Sequence, residues 1–268
     1  MKTNYHTHTP RCLHATGSER EYARRALENG YGELGFADHC PWNYGRDFVS
    51  NMRMEPGQLG DYARAVRALE EEYQGKLKIR LGLECEYFPS RMNWLMEQKE
   101  RHQLDYLILG NHFDTDEPKG MYFGACRTPR DMNRYVNMTI AGMETGYFAY
   151  LAHPDLFLRT MARFTPEAEQ ASRALCRAAV QLNMPLEYNL NGLLYYKGFA
   201  GTELGYPCRA FWEIAAQEGA QAIVGVDAHS PDILANDALY VEAVRTLDAL
   251  GMKRLERLDM DAAANGKC

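Results

Sequence analysis

Ala222-Ile223-Val224-Gly225-Val226-Asp227-Ala228-His229 is an apolar run that stops at a carboxylate and, two residues on, an imidazole. Its first five residues are small or aliphatic and uncharged, as a strand buried on both faces requires. The same phrase recurs along the chain. Strand-like runs are read over 2–6, 33–38, 78–84, 105–110, 148–152, 185–190 and 222–227. They close on His6-Thr7-His8, Asp38-His39, Glu84, Asn111-His112, His153-Pro154-Asp155, Asn189 and Asp227-Ala228-His229. Seven of the eight histidines belong to this pattern if His14, in the first loop, is included; His102 falls in a helix-like segment and reads as structural. A random scatter of core histidines would not share the phase of the strands.

The segments between these runs carry helix start and stop signals. Ser18-x-x-Glu21 is a capping box, and Gly30 stands where a helix-ending glycine belongs. Thr128-Pro129-x-Asp131 and Thr165-Pro166-Glu167 place threonine at the cap, proline at the first helical position and an acid in the first turn. Further helices are expected over 55–74, 91–103, 208–218 and 234–250. Seven strand–helix units in one chain predict an α/β barrel of parallel strands, and such barrels build their sites at the C-terminal ends of the strands. One domain is expected over 1–260, with a frayed tail over 261–268.

Composition narrows the function. With 268 residues and a net charge of −6, the chain has no long basic run, so nucleic-acid or membrane binding driven by bulk charge is not expected. Its seven cysteines form no Cys-x-x-Cys pair, which points to reduced thiols and a cytoplasmic location. No targeting segment precedes His6, and no run approaches the ~18 apolar residues of a membrane span.

Imidazoles and carboxylates are the ligands of borderline divalent metals. His6 and His8 project to one strand face because side chains alternate. Asp227 and His229 do the same if their strand stays extended. Glu84 and Glu86 also share a face, and Glu84, which ends the apolar run, is the preferred ligand. Asp38 would point away from His39 and is open between orienting an imidazole and plain solvation. Asn189 and Asn191 are open between substrate contact and a turn. Four long connections, 40–54, 113–127, 154–164 and 191–206, carry Arg46, Arg53, Lys119, Arg127, Arg159, Arg163 and Lys197 among aromatics. A cationic, aromatic rim over metals would suit a phosphorylated, partly flat substrate. No phosphate-binding Gly-x-x-x-x-Gly-Lys loop and no Gly-x-Ser-x-Gly elbow competes.

Taken together and in order, these motifs resemble the polymerase and histidinol phosphatase (PHP) superfamily, and most closely its stand-alone histidinol-phosphatase-type members. The resemblance implies a distorted (β/α)7 barrel holding two to three divalent ions, zinc, manganese or iron. It implies that His6, His8, Glu84 and Asp227 hold one metal, and that Glu84 bridges to a second held by His112 and His153. His14, His39 and His229 would hold the third. The implied reaction is hydrolysis of L-histidinol phosphate, a small phosphorylated substrate, in histidine biosynthesis. Arg159 is the expected phosphate clamp, Asp155 the candidate proton donor, and Asn189 and Lys197 further substrate contacts. One motif departs: Leu109-Gly110-Asn111-His112 stands where many relatives have Gly-Ser-x-His. Open alternatives are another phosphate ester, a metal-stabilised binding barrel, and a hydrolase of C–N bonds.

Overall fold

The apolar runs pair in parallel. In the computed structural model, which describes residues 2–45, 48–196 and 203–260, β1 (Lys2–Asn4), β2 (Tyr31–His39), β3 (Lys78–Cys85) and β4 (Tyr106–Leu109) form one parallel sheet in that order. A second parallel sheet has the order β5 (Leu186–Asn189), β6 (Gln221–Gly225), β7 (Lys253–Leu255). Isolated bridges link the two: Leu151 pairs with Leu109 on one side and Leu186 on the other, and Thr7 pairs with Ala228. The result is a curled parallel α/β fold.

The strands are connected by α1 (Glu19–Glu28), α2 (Leu59–Glu72), α3 (Met92–Arg101), α4 (Pro129–Glu144), α5 (Pro166–Gln181), α6 (Leu190–Tyr196), α7 (Arg209–Glu218) and α8 (Asp237–Ala249). The expected caps are present. Ser18 and Thr128 each form a reciprocal capping box with the residue three positions on, and the Thr165 side chain accepts from Ala168 N. Gly30 adopts φ +74°, which a Cβ would disfavour.

The main core lies between helices and sheet, with Leu34, Phe36, Leu81, Leu83, Leu107 and Leu109 on the strands' helix-facing side. A smaller cluster, Tyr5, Ala37, Tyr106, Ile108, Tyr150 and Ile223, fills the opposite face. This alternation turns the ligand-type residues at the strand ends toward one mouth.

Three expectations change. The 148–152 run makes only the Leu151 bridges, although backbone hydrogen bonds tie it to both neighbours, among them Ala149 N to Leu107 O at 2.8 Å and Glu187 N to Leu151 O at 2.9 Å. The 191–206 connection begins as helix α6. The short, charged β7, Lys253-Arg254-Leu255, has no apolar signal and was not expected as a strand. Lys197, Arg46 and the tail 261–268 lie outside the described residues. Among the described residues no helix is long and apolar enough to cross a membrane, and six cysteines are free and buried.

Candidate metal centre

His39 and Glu84 are register partners on neighbouring strands, so their side chains meet at the sheet's C-terminal edge. Glu84 is buried and divides its two oxygens. Oε1 lies 2.7 Å from His153 Nε2 and 3.4 Å from His112 Nε2. Oε2 lies 2.8 Å from His39 Nδ1, 3.4 Å from His6 Nε2 and 3.7 Å from His8 Nε2. Gly110 makes room for this carboxylate, because a Cβ there would stand 2.2 Å from Glu84 Oε1.

His6 and His8 reach the same centre although β1 ends at Asn4. The chain beyond it is held by His8 N donating to Ala228 O (2.9 Å) and Ala228 N donating to His6 O (3.0 Å). The buried Asn4 side chain accepts from Val226 N at 2.9 Å and donates to Thr7 Oγ1 at 2.8 Å, fixing the bend. Asp227 does not continue an extended strand: β6 stops at Gly225, and Asp227 takes φ +51°. His153 also lies in the left-handed region, at φ +30°. Two non-glycine residues in that region within one site are sterically costly. Even so, Asp227 Oδ1 comes within 3.1 Å of His8 Nε2, 3.3 Å of His229 Nδ1 and 3.6 Å of His6 Nε2.

His14, His39 and His229 form a third grouping beside the other two. His14 Nε2 and His229 Nε2 are 2.9 Å apart, a separation that one shared proton or one cation explains. The groups His6–His8–Asp227, His6–Glu84–His153, His8–His39–Glu84 and His14–His39–His229 each bring their ligand atoms within 4.8 Å of one another.

The next layer of side chains orients these ligands. Glu187, fully buried, places Oε1 2.8 Å from His6 Nδ1, while its Oε2 accepts from His153 N at 3.1 Å and Asn189 Nδ2 at 2.8 Å. A Cβ on Gly225 would fall 1.8 Å from the Glu187 carboxylate. Asp38, also buried, stands 3.4 Å from His8 Nδ1 and accepts from Thr9 Oγ1 (2.5 Å) and His39 N (2.9 Å), which decides its role as an orienting group. In both cases a carboxylate claims Nδ1 and leaves Nε2 facing the centre. Sequence reading missed Glu187. Its signal was a carboxylate inside the otherwise apolar Pro185-Leu186-Glu187-Tyr188-Asn189-Leu190.

The electrostatics fit cations. Glu84, Asp227, Glu187 and Asp38 are buried, and among the described residues no lysine or arginine pairs with them. His6 Nε2 and His8 Nε2, the nitrogens that face the centre, are buried without a hydrogen-bond partner. Orphaned atoms of this kind, beside carboxylates that no lysine or arginine neutralises, are costly unless a cation satisfies them. Burial opposes ionisation of Glu84, but His112, His6 and His39 outweigh it and hold its pKa well below the usual range. Burial likewise opposes the charge on His8, yet Asp227 and Asp38 raise its pKa to about 9. Burial and the neighbouring His8 push His229 down to about 3.

Above the centre opens a cavity of about 510 Å³ whose floor includes Glu84, His112, His153, Asp227 and His229. Its rim includes Asn51, Met52, Tyr122, Asn191, Tyr195 and Tyr206. A larger hollow of about 1070 Å³ lies between α7 and α8, away from the histidines. The nine expected ligands all converge on the cavity floor or directly beneath it.

Other expected site residues are placed differently. Asp155 is fully buried beneath the site; its Oδ2 accepts from Cys208 N at 2.6 Å and Trp212 Nε1 at 3.1 Å. It anchors the start of α7 and does not line the cavity. Asn189 is also fully buried, donating to Glu187 and to Asp227 Oδ2 (3.1 Å) and accepting from Gly192 N (2.8 Å). It stiffens two carboxylates and does not line the cavity. Arg53 leaves the expected cationic rim altogether, being 2% exposed and paired with Glu86 and Glu117. Arg159 is half-buried with its guanidinium 5.8 Å from the ring centre of Tyr122, a residue of the cavity rim. Lys197 lies outside the described residues. Asn111 accounts for the departing motif: it accepts from Tyr87 N (2.7 Å) and donates to Thr139 (3.0 Å), while His112 faces Glu84.

The chain is similar to known proteins over most of its length. Residues 4–191 match the family model described as the PHP domain. A protein of Deinococcus radiodurans named probable histidinol-phosphatase is 32% identical over 84% of this chain and 85% of its own length. A probable histidinol-phosphatase of Schizosaccharomyces pombe is 22% identical over 99% of this chain and 92% of its own. Among solved structures, the histidinol phosphate phosphatase of Lactococcus lactis, complexed with zinc, L-histidinol and phosphate, superposes with a TM-score of 0.70 at 17% identity, covering 96% of this chain and 98% of that one. At that identity the likeness shows the fold.

Proposed function

This chain belongs to the PHP domain family, and from that premise we propose that it is a metal-dependent phosphomonoesterase converting L-histidinol phosphate to L-histidinol and phosphate. The observation that carries the reading is Glu84, whose two oxygens face two different sets of imidazoles on the floor of one cavity. Similarity to proteins named histidinol-phosphatase supports the substrate.

His6, His8, Glu84 and Asp227 would hold one ion, Glu84, His112 and His153 a second, and His14, His39 and His229 a third. Zinc, manganese and iron suit this donor set. Bound divalent ions supply Lewis acidity toward phosphoryl oxygens and lower the pKa of bound water from 15.7 to about 7. The protein's own groups do the rest. Glu187 and Asp38 keep His6 and His8 in the tautomer whose Nε2 is bare. Arg159, beside Tyr122 of the rim, would supply charge for the phosphate, because a guanidinium forks onto two phosphoryl oxygens. Tyr122, Tyr195 and Tyr206 give the rim aromatic faces on which a flat imidazole can stack.

The parallel sheets read as one distorted (β/α)7 barrel within a single domain over 1–260; the bridges through Leu151 and between Thr7 and Ala228 support closure. The free cysteines favour a reducing, cytoplasmic setting.

The test is phosphate release by metal-loaded protein from L-histidinol phosphate beside nucleotide and sugar phosphates. Preference for histidinol phosphate is expected. Release only from the other esters would discard the substrate, and release from none, with metal bound, would discard the enzyme.

A further inference from the structure

Glu86 follows Glu84 by two residues and is equally buried. Its Oε2 accepts from Trp42 Nε1 at 2.7 Å and Arg53 Nη1 at 3.1 Å, and its Oε1 accepts from Arg53 Nη2 at 2.9 Å. The remaining neighbour of Oε1 is His112 Nδ1, 3.4 Å away. The other nitrogen of that ring, Nε2, faces Glu84 Oε1. An ionised carboxylate only accepts, so an imidazole beside it presents N–H through Nδ1 and keeps Nε2 bare. Both Glu86 oxygens accept from the Arg53 guanidinium, the forked pairing of an ionised carboxylate.

We infer that Glu86, clamped by Arg53, is a positioning residue that fixes the tautomer and rotation of His112. The inference rests on the metal-centre reading above and extends it. Arg53 is equipped for this task and not for substrate. Its Nε donates to Glu117 Oε2 at 2.8 Å and its Nη1 also to Cys40 O at 3.0 Å, so each guanidinium nitrogen is engaged. Ser50 Oγ donates to the same Glu117 at 2.9 Å. The ion pair therefore ties the 40–54 connection, which brings Asn51 and Met52 to the rim, to the 113–127 connection, which brings Tyr122. One buried cluster sets both a ligand's tautomer and the two loops above it.

Glu86→Gln separates this from a merely structural role. Trp42 and Arg53 both donate at the Oε2 position, so the single amide oxygen settles there. The amide NH2 then takes the Oε1 position, where the hydrogen bond from Arg53 Nη2 is lost and the NH2, by donating to His112 Nδ1, forces the proton onto Nε2, where it blocks ligation. Arg53 remains neutralised by Glu117. The ring nitrogens of His112 are read by 15N NMR in zinc-loaded wild type, assigned with His112→Gln, and zinc affinity by chelator competition. Expected are an Nδ1–H tautomer in wild type and, in Glu86→Gln, zinc affinity at one site weaker by about 10- to 100-fold. An Nε2–H tautomer in wild type, or wild-type zinc affinity in Glu86→Gln, overturns the proposal. Should the variant not fold, the wild-type tautomer decides alone. Wild type that takes up no zinc would instead fell the metal-centre reading, and the proposal with it.

Discussion

Glu187 Oε1 and His6 Nδ1 lie 2.8 Å apart, both fully buried. They join β5 to the N-terminal segment across the mouth of the fold, and the other Glu187 oxygen holds the backbone of His153. One carboxylate thus braces ligands of two proposed ions. Glu187→Gln should fold but lose about 10- to 100-fold in metal affinity or turnover. Metal content by mass spectrometry after dialysis, read beside turnover, checks this; unchanged content and rate would make Glu187 a structural residue only.

Gly110 offers a test from the backbone side. Glu84 occupies the space a Cβ would take. Gly110→Ala must push the carboxylate off its place between the two imidazole sets, at a cost of about 1–3 kcal/mol of overpacking. Activity should fall far more than thermal stability does. A variant with wild-type turnover would mean that the position of Glu84 is not what the chemistry needs.

Metal binding should release protons. His8 in the metal-free protein has a pKa raised to about 9, with Asp227 and Asp38 overcoming burial. It is therefore protonated at neutral pH and must give up that proton to ligate. The sign is fixed: affinity rises with pH until about 9 and then levels. The same raised pKa stabilises the metal-free fold most below the unfolded histidine value, a contribution lost as pH rises through about 9. Calorimetry of zinc binding in buffers of different ionisation enthalpy reads the release directly; none at neutral pH would contradict the assignment of His8.

Arg159→Ala should raise KM for the phosphorylated substrate and weaken inhibition by inorganic phosphate, with metal content unchanged. Loss of bound metal would show that Arg159 supports the centre and does not clamp phosphate.

The sequence made the candidate ligands legible because strand ends repeat one chemical phrase, and an apolar run that stops at His, Asp or Glu is readable without coordinates. Order and spacing then carried the family resemblance. Residues acting through others were harder. Glu187 and Asp38 look like any strand acids until folding buries them against His6 and His8. Arg53 looks like a rim cation because its partners, Glu86 and Glu117, are 33 and 64 residues away in the chain. Asp155 follows His153 by two residues and Asn189 ends its strand as the candidate ligands do, but the turns at His153 and after Asn189 direct them inward to Trp212 and Glu187. The strand β7 was invisible because three residues, two of them basic, pair only through backbone.

The most direct test titrates metal-stripped protein with zinc or manganese while following phosphate release from L-histidinol phosphate. The account predicts no turnover without metal, and turnover that rises with bound metal to a plateau at two to three equivalents. Turnover by stripped protein in excess chelator, or none once those equivalents are bound, would contradict it.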